Sequence, residues 1–162
     1  RLETEPTVKR SLLARAMGTV RGAHQSLPLW LQAIELADEE DGEESRLSLI
    51  QRALESLPRE AGLWRRLAME LEKREDSVPL HAALGRAVEA CPSAPDLWIG
   101  WARAAPDHAT ARQCLNRARQ AMPTSLLIWL AACRLEEAHG ASLNQLRVLL
   151  QRAKGELERR GA

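Results

Sequence analysis

Arg117 to Gly140 reads RARQAMPTSLLIWLAACRLEEAHG. An Arg-Ala pair late in one helix is followed by a proline turn, then by a helix opened by Trp129. Proline has no amide hydrogen and crowds the preceding turn, so Pro123 ends one helix and starts the connection. The same parts recur upstream. Pro58, Pro92 and Pro123 each stand six residues before a tryptophan: Trp64, Trp98 and Trp129. Arg52-Ala53, Arg86-Ala87 and Arg117-Ala118 each stand twelve residues before the same tryptophans, and Arg152 marks a further copy. Trp30 is a fourth anchor, so the tryptophans recur every 31 to 34 residues. A period of that length marks a helical-repeat array. One helical hairpin cannot bury its own apolar faces, whereas a stack can, with an indole filling each gap. The expected fold class is therefore all-α, an α-α superhelix of antiparallel helix pairs. One solenoid over 1–162 is expected, with units of about 1–26, 27–58, 59–92, 93–123 and 124–162.

Composition agrees. Of 162 residues, 45% are apolar, and tryptophan is the only aromatic because Phe and Tyr are absent. Ala, Leu, Arg and Glu favour helix. Lys and Arg number 23 against 22 acids, a formal charge of +1, which supplies no electrostatic case for a nucleic-acid or membrane surface. The longest apolar run, Leu126 to Cys133, has eight residues, against the roughly 20 that cross a bilayer. Three widely spaced cysteines, Cys91, Cys114 and Cys133, point to a reducing compartment and no disulfide frame.

Periodicity and punctuation predict helices over about 6–20, 29–37, 44–57, 60–74, 78–91, 95–104, 108–121, 125–138 and 142–160. Arg1-Leu2-Glu3 matches Arg134-Leu135-Glu136, so the chain reads as opening within a unit of a longer array. Gly42 is expected to break the acidic run 38–44, which reads as a solvated loop. Asp76 or Ser77, Asp107 and Ser142 are expected caps, and Gly140 an expected stop.

Catalysis requires convergent polar groups, and none is legible. His24, His81, His108 and His139 fall near turns or helix starts with no metal-ligand spacing, and surface or capping roles are expected for them. The cysteines read as small buried residues. No catalytic, cofactor-binding or metal-ligating residue, and no cofactor, is expected; nor is a small-molecule substrate. Two polar arrangements are predicted. Within a unit, the acid ending the first-type helix (Glu72, Glu136) faces the arginine of the second-type helix (Arg86, Arg152). If Trp faces the core, the positions two and five residues on face outward: Gln32, Glu35, Arg66, Met69, Gly100, Arg103, Ala131 and Arg134. Arg66, Arg103 and Arg134 then form a candidate ladder for an acidic partner segment.

The pattern resembles the half-a-TPR (HAT) repeat: Trp with small residues and Leu-Glu on the first helix, Arg-Ala on the second, then Pro. ALGRAVEACPSAPDLWIGWARA (83–104) and TARQCLNRARQAMPTSLLIWLAACRLEEAHG (110–140) are similar to the branch of HAT pre-mRNA-processing factors that bridges the spliceosomal tri-snRNP. The chain departs from the wider HAT pattern in lacking Tyr and Phe on its second-type helices and in having Ala104 where a Leu would continue the motif. The resemblance implies a nuclear, non-enzymatic scaffold whose partners are proteins of the U-five and U-four/U-six particles, with RNA contact indirect or weak. Alternatives are a HAT scaffold of RNA 3′-end processing or ribosome assembly, or a solenoid binding RNA directly.

Overall fold

The structure, a computed structural model, describes residues 26–40, 42–75 and 77–161. The predicted helix 6–20, His24, the cap at Asp76 and the side chains of the acidic run lie outside the described residues. Eight α-helices and no strand occur among the described residues: α1 (Leu27–Glu40), α2 (Gly42–Ser56), α3 (Ala61–Lys73), α4 (Ser77–Ala90), α5 (Pro95–Arg103), α6 (His108–Ala121), α7 (Leu126–Ala138) and α8 (Leu143–Gly161). By backbone contacts the chain divides into two compact bodies, Arg1–Glu70 and Leu71–Ala162. In the first, α1 packs on α2; in the second, α4 to α8 pack each on the next, and α5 also touches α7.

The breaks follow from local chemistry. Asp107 accepts a hydrogen bond from the Thr110 amide at 2.7 Å and caps α6. That bond holds the Asp107 carboxyl below its ordinary range. At the end of α7, Gly140 takes φ +80°, and the amides of Gly140 and Ala141 return to the carbonyls of Glu137 and Glu136, both at 3.0 Å. Ser142 and Gln145 then cap α8 reciprocally: each backbone amide donates to the other's side-chain oxygen, at 2.8 and 3.4 Å. Pro79 sits in the first turn of α4, where its missing amide hydrogen costs nothing. The acidic connection differs from expectation: α1 continues to Glu40, and Gly42 opens α2 instead of breaking the run. Ser77 is the first helical residue of α4, not its cap.

The core explains both halves of the signature. Trp30, Trp64, Trp98 and Trp129 are all buried. The indole nitrogens of Trp64, Trp98 and Trp129 donate to the carbonyls of Pro58, Pro92 and Pro123, at 2.8, 2.9 and 2.8 Å. The six-residue spacing is thus the length of a turn closed by an indole hydrogen bond. The alanines of the Arg-Ala pairs, Ala53, Ala87, Ala118 and Ala153, are also buried.

Candidate interaction surface

Two of the arginines beside those alanines reach indoles. Arg52 lies 5.9 Å from the ring centre of Trp30, and Arg117 lies 5.0 Å from that of Trp101. Arg119 covers Trp129 at 4.9 Å and hydrogen-bonds Asn116. Arg152 is exposed on α8. Arg86 makes polar interactions of its own. With all five tryptophans buried, the rings serve packing and offer no open stacking face to a nucleotide base.

The predicted Glu136–Arg152 pair is replaced by another. Glu136 is gripped by both arms of Arg112, whose Nε donates at 2.6 Å, and His108 Nε2 stands 3.9 Å away. Arg112 belongs to α6, the second helix of the preceding repeat, so the contact joins repeats rather than closing one. Glu70 of α3 meets Arg46 of α2 at 3.3 Å in the same sense, again 24 residues apart in sequence. The Arg112 hydrogen bonds hold the Glu136 carboxyl below its ordinary range and push the Arg112 guanidinium up. Glu72 is exposed.

Around this joint the His108 and His139 rings stack with centres 3.7 Å apart, and His139 Nδ1 lies 2.9 Å from the Leu135 carbonyl. His81, expected in a surface or capping role, is instead half-buried and stacks on Trp101 at 5.6 Å. Trp101 also contacts Trp98 and fills the space left by Gly85, whose Cβ would stand 3.3 Å from the Trp101 indole nitrogen. Cys91 and Cys114 are buried and Cys133 half-buried, and none of the three is in a disulfide; burial raises the pKa of Cys114 and Cys133. Among the described residues no group of three or more His, Cys, Asp or Glu is arranged to hold a metal, and no helix is long and apolar enough to cross a membrane. An open depression of about 330 Å³ between the proline turns is lined by Pro92, Ser93, Ala121, Met122, Pro123 and Thr124, none of them titratable.

The outward positions of the first-type helices remain. Arg66 on α3 lies 3.4 Å from Glu35 on α1. Arg103 on α5 and Arg134 on α7 are exposed and form no ion pair with a described residue. Both stand five residues after their tryptophan. The packing of α5 on α7 brings the two helices side by side. On α7, Leu127, Leu130, Ala131 and Arg134 share one helical face, with Leu127 and Leu130 exposed.

No protein-family profile matches the chain, and no curated protein does. Solved structures do. A crystal structure of MamA aligns over 99% of this chain and 99% of its own, with a TM-score of 0.59 at 10% identity. A MamA fragment from Desulfovibrio magneticus RS-1 covers 98% of both chains, with a TM-score of 0.54 at 11% identity. YrrB, described as a TPR protein with an unusual peptide-binding site, matches 94% of this chain and 78% of its own, with a TM-score of 0.55 at 14% identity. At such identities the likeness concerns architecture. The chain has the TPR-like fold of antiparallel helix pairs that its tryptophan period predicts.

Proposed function

We propose that this chain is a non-enzymatic scaffold for protein partners, and that the outward strip of its first-type helices receives them. The observation that carries the reading is the pair of exposed guanidiniums, Arg103 and Arg134, at the same repeat position on two helices packed together. Arginine forks suit carboxylates, and the exposed Leu127 and Leu130 beside Arg134 suit an apolar side chain. An acidic segment with interspersed apolar residues has that chemistry. Arg66 belongs to the other compact body and is proposed as a contact of its own, since its solvent-exposed approach to Glu35 exchanges readily for a partner carboxylate. The peptide-binding site named for YrrB, on the same kind of fold, supports the reading.

The finer assignment rests on sequence motifs. The runs at 83–104 and 110–140 resemble pre-mRNA-processing factor six, so the proposed setting is the nucleus, and the proposed role is bridging U-five and U-four/U-six proteins in the spliceosomal tri-snRNP. Affinity purification of the full-length protein, with identification of bound proteins and RNAs, tests it. The expected result is recovery of those particles, lost on Arg103→Glu with Arg134→Glu. Recovery of polyadenylation factors without splicing particles refutes the assignment.

A further inference from the structure

The arginine of the Arg-Ala pair is answered by an acid in one repeat and not in the next. Arg117, beside Ala118 in α6, reaches back to Glu89 of α4 at 4.0 Å. Glu89 stands two residues after Ala87. One repeat on, Arg152 is the arginine beside Ala153 in α8, and the residue two after Ala118 is Gln120. A neutral amide thus stands where a carboxylate answers Arg117. The difference lies on the side of the preceding repeat, where α6 and α7 are both in place. Arg152 is exposed and makes no ion pair with a described residue.

A second cation accompanies it. Arg119 of α6 is half-buried, with its guanidinium 4.9 Å from the ring centre of Trp129 and a hydrogen bond to the Asn116 side-chain oxygen. It too makes no ion pair with a described residue. Burial, and then the charge of Arg152, lower the Arg119 pKa, so the two guanidiniums act on each other. The acid that also acts on Arg119 is Glu136, whose two oxygens are already held by Arg112.

Two like charges, one of them fixed in advance by a ring and an amide, suit an anion, because little ordering is left for binding to impose. A carboxylate carries one charge and leaves the other guanidinium unanswered. A phosphate monoester carries about −1.5 to −2 near neutral pH and presents three acceptor oxygens. A nucleic-acid phosphodiester carries one charge, and the buried tryptophans offer its bases no ring. We propose that Arg119 and Arg152 form a seat for the phosphoryl group of a phosphorylated serine or threonine on a protein partner. The seat joins the second-type helices of two neighbouring repeats and is separate from the strip on the first-type helices.

The probe is phosphoserine blocked at both ends, titrated onto the whole chain while the arginine side-chain N–H signals are followed by NMR. Saturable binding that moves the Arg119 and Arg152 signals is expected, with blocked aspartate roughly tenfold weaker or worse. Arg152→Gln abolishes it. Gln120→Glu abolishes it as well, because it gives Arg152 the carboxylate that Glu89 gives Arg117 while keeping both arginines. Arg147→Gln, at another exposed arginine of α8, leaves it unchanged. Circular dichroism confirms that each variant keeps its helix content. The proposal is overturned by absence of saturable binding, by equal weakening from Arg147→Gln and Arg152→Gln, by binding retained in Gln120→Glu, or by a single-stranded RNA that takes over the same signals at lower concentration than phosphoserine.

Discussion

Trp98→Ala tests the stacking argument directly. Trp98 is 4% exposed, its indole nitrogen donates to the Pro92 carbonyl at 2.9 Å, and its ring meets Trp101 at 5.8 Å. Truncating a buried tryptophan costs about 3–5 kcal/mol through lost transfer energy and the cavity left behind. The hydrogen bond is a small part of this, about 1 kcal/mol net, because Pro92 is exposed and its carbonyl can turn to water. Trp98→Phe separates the two: it keeps most of the ring and loses the donor, so its cost should be about 1–2 kcal/mol. Against the roughly 5–15 kcal/mol that hold an ordinary domain together, the alanine variant loses a large share. Urea unfolding followed by circular dichroism gives both numbers. Hydrogen exchange locates the effect: α4, α5 and α6 should lose protection first, because stability in a repeat array is set by neighbouring interfaces. A cost below about 1 kcal/mol for Trp98→Ala would place the ring outside the core and refute the reasoning.

Other consequences are as direct. Glu136 has a depressed carboxyl pKa because Arg112 hydrogen-bonds its charged form. That stabilisation is present above the ordinary carboxylate range and fades as pH falls through the lower native value. Urea midpoints of the parent chain should therefore drop more between neutral and acid pH than those of Arg112→Gln, and identical pH profiles would deny the contact. Gly100→Ala should raise stability by about 0.5–1 kcal/mol, since a methyl there meets Leu84 at an ordinary 3.6 Å within a helix. Gly85→Leu should lower it by about 1–3 kcal/mol, because even a Cβ stands 3.3 Å from Trp101; thermal melts read both signs. Ser142→Ala should cost about 1 kcal/mol by loss of the α8 cap, seen as fraying of the first turn of α8 in amide exchange.

The helix breaks were legible because residues with local causes write them. Pro106 and Asp107, Gly140 and Ser142 act through their own backbone and nearest amides, so α6, α7 and α8 start and stop within a residue of expectation. Gly42 misled because glycine is tolerated at a helix start as well as a stop, and the flanking acids do not say which. The tryptophan–proline spacing gave the joint without its chemistry: six residues is a length, and the indole hydrogen bond is what sets it. Glu136 was assigned the wrong arginine because its true partner comes from the preceding repeat, and the relative rotation of neighbouring repeats is set by packing. Its trace in sequence is the 24-residue interval shared by Arg46–Glu70 and Arg112–Glu136. His81 and Trp101 left no periodic trace, because among the described residues no other tryptophan is stacked on a histidine.

The bonds from the indoles of Trp64, Trp98 and Trp129 to proline carbonyls also decide where such a chain can change length. Trp98 and Trp129 are 31 residues apart where the earlier tryptophans are 34 apart, yet the interval from proline to tryptophan stays at six. The three missing residues come from between Trp98 and Arg117, where Ala104 to Asp107 make the bend inside a hairpin. Insertions and deletions are thereby steered to the bends inside hairpins, which can lengthen or shrink while the proline–tryptophan fasteners keep their gauge.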